Sequence, residues 1–284
     1  MKFGLVLEGG AMRGLFSAGI LDVMMEEGVE FDGAVGVSAG AAFGVNFKSR
    51  QIGRPIRYNK RFARDWRYCS LRSWIMTGDL FGANFAYHDV PNLYDPFDNE
   101  AYAANPMEFH LVCTDVMTGE AVYKQVRQGG DVCYDWVRAS ASMPMVSKPV
   151  HLDDKWLLDG GVADSIPLAY FERQGFERNV VILTQPEGYQ KKHNRLMPLL
   201  RVNLRHYPNM VKALDRRHLM YNEQLAYVRK REQEGKALVI RPTAALKIGH
   251  VSHNPDEMQA VYEEGRKMGM ERLQDIRDFL QKKA

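Results

Sequence analysis

Short apolar runs alternate with helix-length amphipathic segments along most of this chain. The run at residues 3–7 predicts a buried strand, and apolar side chains at helical spacing predict a helix over residues 13–27. A second apolar run at residues 31–37 leads into a predicted helix of small residues at 39–47. We therefore expect strand, turn and helix to occur twice in succession at the start of the chain.

Further strands are predicted at residues 109–114, 121–126, 155–158, 180–184 and 237–240. Several are short, apolar and separated by helix-length segments, which is typical of a mostly parallel sheet with helices on both faces. The first two are instead joined through a turn at Gly119, which predicts a hairpin and makes the sheet mixed. The predicted fold class is α/β, with three layers in the order α/β/α around a mostly parallel, mixed central sheet.

The chain divides into a predicted core at residues 1–190 and a helical C-terminal region at 191–284. We expect the second region to pack on the same domain and to carry the strand at 237–240. Residues 257–283 place apolar side chains on one helical stripe with charges opposite. This stripe favours a terminal helix that docks on the core over a helix that binds a partner.

Composition and charge are those of an ordinary globular protein. Of 284 residues, 45% are hydrophobic and 26% are charged, and the net charge of +3 gives no reason to expect nucleic-acid binding. The cysteines Cys69, Cys113 and Cys133 are odd in number and lack C-x-x-C spacing, which argues against disulfides and a zinc site and favours a cytoplasmic location. No apolar run reaches the roughly 18 residues of a membrane span, so none is expected.

Two glycine motifs near the N-terminus carry the candidate chemistry. A reacting serine needs a sharp strand-to-helix turn with small residues two positions before and after it. A glycine-rich turn at a helix N-terminus supplies N–H donors for the oxyanion that forms on attack. The chain contains both, as the turn Gly9, Gly10, Ala11, Met12, Arg13 and Gly14 and as the pentapeptide Gly36, Val37, Ser38, Ala39 and Gly40.

Each motif also has an alternative interpretation. Ser38 alone could stand in a tight packing turn with no catalytic role. The first motif could be a dinucleotide-binding turn, but Ala11 occupies the position of the second glycine of G-x-G-x-x-G. Arg13 is either a surface residue of the first helical turn or a residue that contacts an anion.

A nucleophilic serine also needs a base, which in this chain is either a histidine or an aspartate. Asp159 ends an apolar strand and precedes Gly160 and Gly161, which allow another backbone to approach closely. Read alone, an Asp-Gly pair is more often a turn former. An ordinary aspartate is a weak base at pH 7, so a catalytic Asp159 requires an apolar site that raises its pKa. No sequence context singles out any of the histidines downstream of Ser38, which are His88, His110, His151, His193, His206, His218, His250 and His253.

These motifs, in this order, resemble the patatin-like phospholipases, in particular the bacterial ones. The resemblance rests on the glycine turn with Arg13, the pentapeptide around Ser38 and the motif Asp159-Gly160-Gly161, and similar stretches at 139–144 and 164–167 extend it over about residues 3–185. It implies a patatin-like catalytic core and a Ser38–Asp159 dyad without a catalytic histidine. It also implies that the backbone of the turn from Gly9 to Gly14 forms the oxyanion hole, and that acyl esters of lipids are the substrates.

One residue departs from the family pattern. Ala11 stands where the family commonly has a third glycine. If this position adopts a left-handed conformation, alanine there costs about 1 kcal/mol of backbone strain.

Residues 48–74 combine nine basic side chains with interleaved aromatic ones. Such a segment could contact an anionic membrane surface or receive a lipid headgroup. The alternative, which we favour, is a solvated helix with its aromatic side chains packed inward. A second basic stretch at 201–217 could line the same face or be merely exposed.

The sequence therefore predicts a serine acyl-ester hydrolase of the phospholipase A or lysophospholipase type, which needs no metal or organic cofactor. Its expected partners are a fatty-acyl ester or phospholipid and, through residues 48–74, a peripheral membrane surface. Two alternatives remain open: a Ser-His-Asp α/β-hydrolase esterase and a non-catalytic lipid-binding protein. Ser38 follows only the second strand, whereas the nucleophile of such a triad esterase usually follows several strands, which argues against the first alternative.

Overall fold

The first apolar run forms an inner strand of a mixed sheet in this computed structural model, which describes residues 1–281. Over this part of the chain the sheet has eight strands in the order β5-β6-β3-β2-β1-β7-β8, with β4 paired to β3. The strands are β1 (Lys2–Leu7), β2 (Gly33–Val37), β3 (Glu108–Asp115), β4 (Ala121–Gln125), β5 (Val150–Leu152), β6 (Lys155–Asp159), β7 (Phe176–Ile182) and β8 (Ala237–Ile240).

Within residues 1–281, ten α-helices connect and cover these strands. They are α1 (Gly14–Glu26), α2 (Ala39–Lys48), α3 (Arg54–Phe62), α4 (Leu71–Thr77), α5 (Asn99–Ala104), α6 (Asp131–Ala141), α7 (Leu168–Arg173), α8 (Met197–Asn203), α9 (Pro208–Gln233) and α10 (Pro255–Gln281). A π-helical segment, Phe85–Tyr94, lies between α4 and α5.

Alternating side chains of β1 show that helices cover both faces of the sheet. Leu5 and Leu7 belong to a cluster with buried side chains of α1, α2, α6 and α10. Val6 points into a second cluster, with side chains of α7 and α9. Because side chains of a strand alternate between its two faces, this arrangement confirms the predicted three-layer α/β/α fold.

Parallel and antiparallel pairings divide the sheet. The strands β3, β2, β1, β7 and β8 run parallel, whereas β4, β5 and β6 pair antiparallel to their neighbours. The hairpin of β3 and β4 turns through Gly119, as predicted. Antiparallel β6 next to β3 is the feature that matters for the site, because its C-terminal residue pairs with Cys113 near the end of β3.

Two strand predictions were incomplete. The strand predicted at 180–184 is β7, which begins earlier, at Phe176, because its first half carries polar residues that hide the apolar pattern. It ends at Ile182, and the amide of Thr184 donates to the side chain of Glu8 instead. The three-residue edge strand β5 was not predicted at all, since so short a run has no recognisable period.

The terminal helix α10 packs across α1, which starts directly after the glycine turn. A Cβ on Gly265 would overlap the backbone oxygen of Phe16, and a Cβ on Gly19 would overlap that of Tyr262, so the two backbones cross in close contact. Tyr262 also donates a hydrogen bond of 2.6 Å to the buried Asp22 of α1. The end predicted for this helix, at Lys283, lies outside the described residues.

Candidate active site

Ser38 stands at a sharp turn between β2 and α2. Its backbone has φ 55° and ψ −120°, a left-handed conformation that a serine adopts only under strain. Both flanking glycines are required by close contacts. A Cβ on Gly36 would lie 2.5 Å from the oxygen of Gly40, and a Cβ on Gly40 would lie 2.5 Å from the oxygen of Leu7. This is the tight strand-to-helix turn that the pentapeptide predicts.

A second serine, Ser140, holds the backbone of this turn in place through hydrogen bonds. The amide of Ser38 donates to Ser140 Oγ over 3.0 Å, and Ser140 Oγ in turn donates to the carbonyl oxygen of Val112 over 2.6 Å. Ser140 is fully buried at the end of α6. No role for Ser140 was predicted from sequence, because only the fold brings the end of α6 to the backbone of Ser38. Its hydroxyl fixes the Ser38 backbone without using the Ser38 side chain.

Asp159 lies within hydrogen-bond distance of Ser38. Ser38 Oγ donates to Asp159 Oδ2 over 2.6 Å, and the amide of Gly161 donates to Asp159 Oδ1 over 2.7 Å. The two side chains are 8% and 6% exposed. Gly160 is needed beside them, because a Cβ there would overlap the backbone oxygen of Val112. The hydroxyl and the carboxylate therefore share a buried, geometrically fixed contact.

Burial changes the basicity of this carboxylate. The pKa of Asp159 is raised above its ordinary value of 3.8, chiefly by desolvation, although nearby Arg217 and the hydrogen bonds from Ser38 and Gly161 act in the opposite direction. Arg217 donates from Nε to the carbonyl oxygen of Gly161 over 2.5 Å. A raised pKa makes the carboxylate a stronger base, which is the direction that proton abstraction from a serine requires.

The glycine turn lies directly against Ser38. A Cβ on Gly9 would stand 3.0 Å from Cβ of Ser38. The chain then forms a short 3-10 turn, Ala11–Arg13, that continues into α1. Ala11 has φ 50°, so it does adopt the left-handed conformation, with the strain of about 1 kcal/mol anticipated from its sequence. The amides that open a helix have no carbonyl within the helix to bind.

A buried glutamate supports this turn. Glu8 accepts hydrogen bonds of 2.6 Å from the amide of Thr184 and of 2.6 Å from the hydroxyl of Tyr221, and burial raises the pKa of its carboxyl. Thr184 also packs against Gly10, where a Cβ would come within 2.7 Å of its hydroxyl. Glu8 was missed from sequence, since one carboxylate at the end of a strand carries no recognisable motif.

Two clefts meet at Ser38 and Ala11. The first, which we call the apolar cleft, encloses about 920 Å³ including its open mouth, and most of its lining is aliphatic or aromatic. The second, which we call the cationic cleft, encloses about 950 Å³ and is also lined by Asp159. Its positively charged or titratable lining residues are Arg13, Lys191, Arg217 and His250. A reacting group at Ser38 could therefore extend in two chemically different directions.

Part of the basic segment at 48–74 has a structural role. The ammonium of Lys48 is buried and donates to the carbonyl oxygens of Asn105 and Met107. Arg54, also buried, bonds to Asn46 and to Asp95, and Arg57 forms a two-point ion pair with Asp95. The aromatic side chains of Tyr58 and Tyr68 pack inward and line the apolar cleft. The preferred interpretation of a solvated helix with inward aromatic side chains was thus right for Tyr58, Phe62 and Tyr68, but Trp66 and Trp74 are exposed, and Lys48 and Arg54 are buried.

The histidines make contacts away from Ser38. Among residues 1–281, His250 is the only histidine that lines either of the two clefts. Its Nε2 lies 3.3 Å from a guanidinium nitrogen of Arg13. The other contacts are His88 with Asp131 and Asp135, His110 with Glu108 and Tyr170, His151 with Trp156, His193 with Asp215, His206 with Arg205, His218 with the backbone of Asp215, and His253 with the backbone of Ala63.

Neither a metal cluster nor a membrane-spanning helix occurs in the part of the chain that the structure describes. Among residues 1–281, no three His, Cys, Asp or Glu side chains come together in a group that could hold a metal ion. None of the helices over the same residues is long and apolar enough to cross a bilayer.

Family comparison adds an independent finding. A family model described as patatin-like phospholipase matches residues 5–172, which include the glycine turn, Ser38 and Asp159. A second model, for a domain of unknown function (DUF6363), matches residues 207–281. The first model covers more than half of the chain.

Individual relatives are distant and longer. The chain is similar to lysophospholipase NTE1 of Kluyveromyces lactis, with 26% identity over 61% of this chain and 12% of that protein. It is similar to the uncharacterised protein YjjU of Escherichia coli, with 28% identity over 65% of this chain and 52% of that protein. A crystal structure of VipD from Legionella pneumophila aligns with a TM-score of 0.48 and 13% identity, over 96% of this chain and 67% of that one. The matched part thus spans about half the length of YjjU and a small part of NTE1.

Proposed function

The chain belongs to the patatin-like phospholipase family, and from this premise we propose that it is a serine hydrolase that cleaves acyl esters of lipids. The observation that carries the proposal is the 2.6 Å hydrogen bond from Ser38 Oγ to Asp159 Oδ2, formed at a strained turn where two clefts meet. Strained backbone and a buried, basic carboxylate are costly features that persist where chemistry uses them.

The contacts support the following mechanism. Asp159 takes the proton of Ser38 while Oγ attacks the ester carbonyl, and backbone amides of the turn at Gly9–Gly14 stabilise the negative charge on the carbonyl oxygen. Asp159 returns the proton to the leaving alcohol. Water, activated by the same carboxylate, then releases the fatty acid and restores the Ser38 hydroxyl. All steps use groups of this chain and water.

The apolar cleft supports a class of substrate. Its lining includes Ser38 together with Ala42, Phe43 and Val137, so an acyl chain attached to the reacting carbonyl can be buried against apolar side chains. Arg54, a charged residue of this lining, is already bonded to Asn46 and Asp95. Each buried methylene contributes about 0.8 kcal/mol. Esters of long fatty acids are therefore the preferred substrates, and the lysophospholipase name of the NTE1 relative agrees with this class.

Chain-length selectivity tests this proposal. We expect kcat/KM for p-nitrophenyl esters to rise from the acetyl to the dodecanoyl ester in the wild type, because each added methylene enters the apolar cleft. Replacing Ala42 with Phe, one helical turn after Ser38, should lower the value for the dodecanoyl ester by roughly tenfold or more and spare the acetyl ester. Ala103→Phe, the same change on the exposed face of α5, is the matched control. Equal loss for both esters in Ala42→Phe would contradict the assignment of this cleft.

The alternatives have less support. A Ser-His-Asp triad needs a histidine that contacts the serine, whereas the histidine contacts described above are all with other residues. A purely lipid-binding protein has no need of a strained serine bonded to a buried carboxylate. The C-terminal region belongs to the same catalytic unit in our proposal, because Arg217 from α9 bonds to Gly161 and Tyr221 bonds to Glu8 under the glycine turn.

We also propose that the protein works at a membrane surface from the cytoplasm, and that exposed apolar side chains make the contact rather than the buried Lys48 and Arg54. Two helices beside the clefts expose apolar side chains. On α4, Ile75 is 79% exposed and Leu71 is 69% exposed, and the loop that carries α4 starts and ends at Tyr68 and Phe81, which line the apolar cleft. On α8, Leu199 and Val202 are exposed near Leu200, which lines the cationic cleft. Exposed apolar side chains next to a site for lipids suit insertion into a bilayer surface.

A charge placed on this surface should weaken membrane binding. We expect Ile75→Asp to reduce binding to phosphatidylglycerol-containing vesicles roughly tenfold or more, since an inserted isoleucine contributes the burial of a large aliphatic side chain. Met270→Asp, at another exposed apolar position, on α10, is the control. Vesicle co-sedimentation measures both, with thermal melting as the check on folding. If Met270→Asp and Ile75→Asp behave alike, α4 is not the contact surface.

A further inference from the structure

The cationic cleft is completed by residues outside the part of the chain that matches the patatin-like phospholipase model. Lys191 follows β7 and Arg217 lies on α9, whereas the model ends at residue 172. Both residues line the cleft that also contains Ser38 and Asp159. The region after the matched core therefore contributes two cations directly to the neighbourhood of the candidate nucleophile.

These cations lack ion-pair partners. Within residues 1–281, no carboxylate oxygen lies within 4.0 Å of the charged nitrogens of Arg13, Lys191 or Arg217, and Arg13 Nε is buried without a hydrogen-bond partner. The carboxyl groups that do line the cleft, Glu8 and Asp159, are already hydrogen-bonded, and burial raises the pKa of both. The cleft thus holds an excess of unpaired positive charge.

The backbone of Lys191 is held in place and its side chain is left available. Its amide donates to Asn222 Oδ1 over 2.8 Å, and Asn222 Nδ2 donates to its carbonyl over 3.0 Å, which ties the loop to α9. The ammonium lies 4.5 Å from the ring centre of Tyr221. Burial, together with repulsion from Arg217 and Arg13, lowers the pKa of Lys191 to about 8, and Glu8 partly offsets this. A bound anion would offset both the burial of the ammonium and its repulsion from Arg217 and Arg13.

We propose that Lys191 and Arg217 bind the phosphate of a lipid headgroup while the acyl chain lies in the apolar cleft, so that the protein selects lysophospholipids over neutral acylglycerols. The two clefts meet at Ser38, as they must if the scissile ester stands between an acyl chain and a glycerol phosphate. Guanidinium and ammonium groups at a partly buried site are the side chains that recognise phosphate oxygens. This inference rests on the proposed hydrolase function and names its substrate.

Substrate preference provides the first test. The measured quantity is the ratio of kcat/KM for 1-acylglycerol 3-phosphate to that for the monoacylglycerol of the same chain length. We expect Lys191→Met to lower this ratio roughly tenfold or more, since a charge-assisted hydrogen bond to the phosphate is lost. Lys192→Met, an exposed lysine next in the chain, should leave the ratio unchanged. An unchanged ratio in Lys191→Met, or an equal fall in both variants, would overturn the inference.

Direct binding provides a test that does not depend on catalysis. Titration calorimetry on the Ser38→Ala protein should show binding of glycerol 3-phosphate, weaker binding of inorganic phosphate, and none of glycerol. Lys191→Met in the Ser38→Ala background should weaken the binding of both glycerol 3-phosphate and inorganic phosphate. Binding should also weaken as the pH rises through about 8, because Lys191 then loses its charge beside Arg13, Arg217, His250 and Glu8.

These two tests separate the inference from the proposed function. If Ser38→Ala still hydrolyses esters but phosphate binding depends on Lys191, the nucleophile assignment fails and the phosphate site stands. If hydrolysis depends on Ser38 but neither phosphate ligand binds, the phosphate site fails alone. Inorganic phosphate that binds as tightly as glycerol 3-phosphate would identify a site for free phosphate and contradict a headgroup site.

Discussion

Ser38→Ala is expected to reduce ester hydrolysis by about 10⁴-fold or more, because the variant has no nucleophile and only binding and charge stabilisation remain. The measurement is kcat/KM for a p-nitrophenyl ester under identical conditions for wild type and variant. Alanine keeps the packing of the turn, since Ser38 uses its backbone amide and not its side chain to contact Ser140. The loss should therefore appear in kcat with the melting temperature nearly unchanged.

The control for this variant is Ser147→Ala, which lies in the loop after α6 and should retain wild-type hydrolysis. A Ser38→Ala protein that melts normally and keeps more than a tenth of the wild-type rate would rule out Ser38 as the nucleophile. The esterase activity would then belong to another residue.

Asp159→Asn is expected to reduce kcat by about 10²–10⁴-fold, the usual contribution of a general base. Asparagine has the shape of aspartate and its Oδ1 can still accept from the amide of Gly161, but it cannot take the proton of Ser38. Asp154→Asn, at an exposed position in the turn between β5 and β6, is the matched control. Hydrolysis by Asp159→Asn at the wild-type rate would contradict the assignment of the base.

The dependence of kcat/KM on pH tests the same role of Asp159 as the base. The base must be ionised to act, so wild-type kcat/KM should fall as the pH decreases through the pKa of Asp159. Because burial raises that pKa, the fall should be centred above pH 3.8, the ordinary value for aspartate. The small residual activity of Asp159→Asn should lack this acidic limb.

The local geometry around Ser38 and Asp159 was predictable from sequence because each residue belongs to a short motif whose members contact one another locally. The turn at Ser38 needs Gly36 and Gly40 within two positions on either side, and Asp159 needs Gly160 directly after it. The sequence indicated that Ala11 is strained if its backbone is left-handed, and the structure shows that it is left-handed. Steric requirements between residues this close in the chain can be predicted from the sequence.

The supporting residues were not predictable because they come from distant parts of the chain. Ser140 reaches Ser38 only because α6 packs beneath β2 and β3, and Tyr221 reaches Glu8 only because α9 covers the other face of the sheet. Arg217 lay in a basic stretch that the sequence could not place. Its contact with Gly161 depends on where α9 docks, which no local pattern specifies.

The burial of Lys48 and Arg54 shows a related limit. A run of basic residues suggests a solvated or membrane-bound surface, since isolated charges are rarely buried. Here the ammonium of Lys48 meets two backbone carbonyls, and the guanidinium of Arg54 meets Asn46 and Asp95. These acceptors come from segments that lie up to about sixty residues away in the chain, so composition alone indicates the wrong environment.

Fluorophosphonate labelling, followed by peptide mapping, identifies the nucleophile, because the probe forms a covalent bond only with an activated serine. We expect one labelled residue, Ser38, in the wild-type protein, no label in Ser38→Ala, and labelling slowed by about 10²-fold or more in Asp159→Asn. Labelling of a different serine, or of Ser38 at the same rate in Asp159→Asn, would contradict a Ser38 nucleophile activated by Asp159.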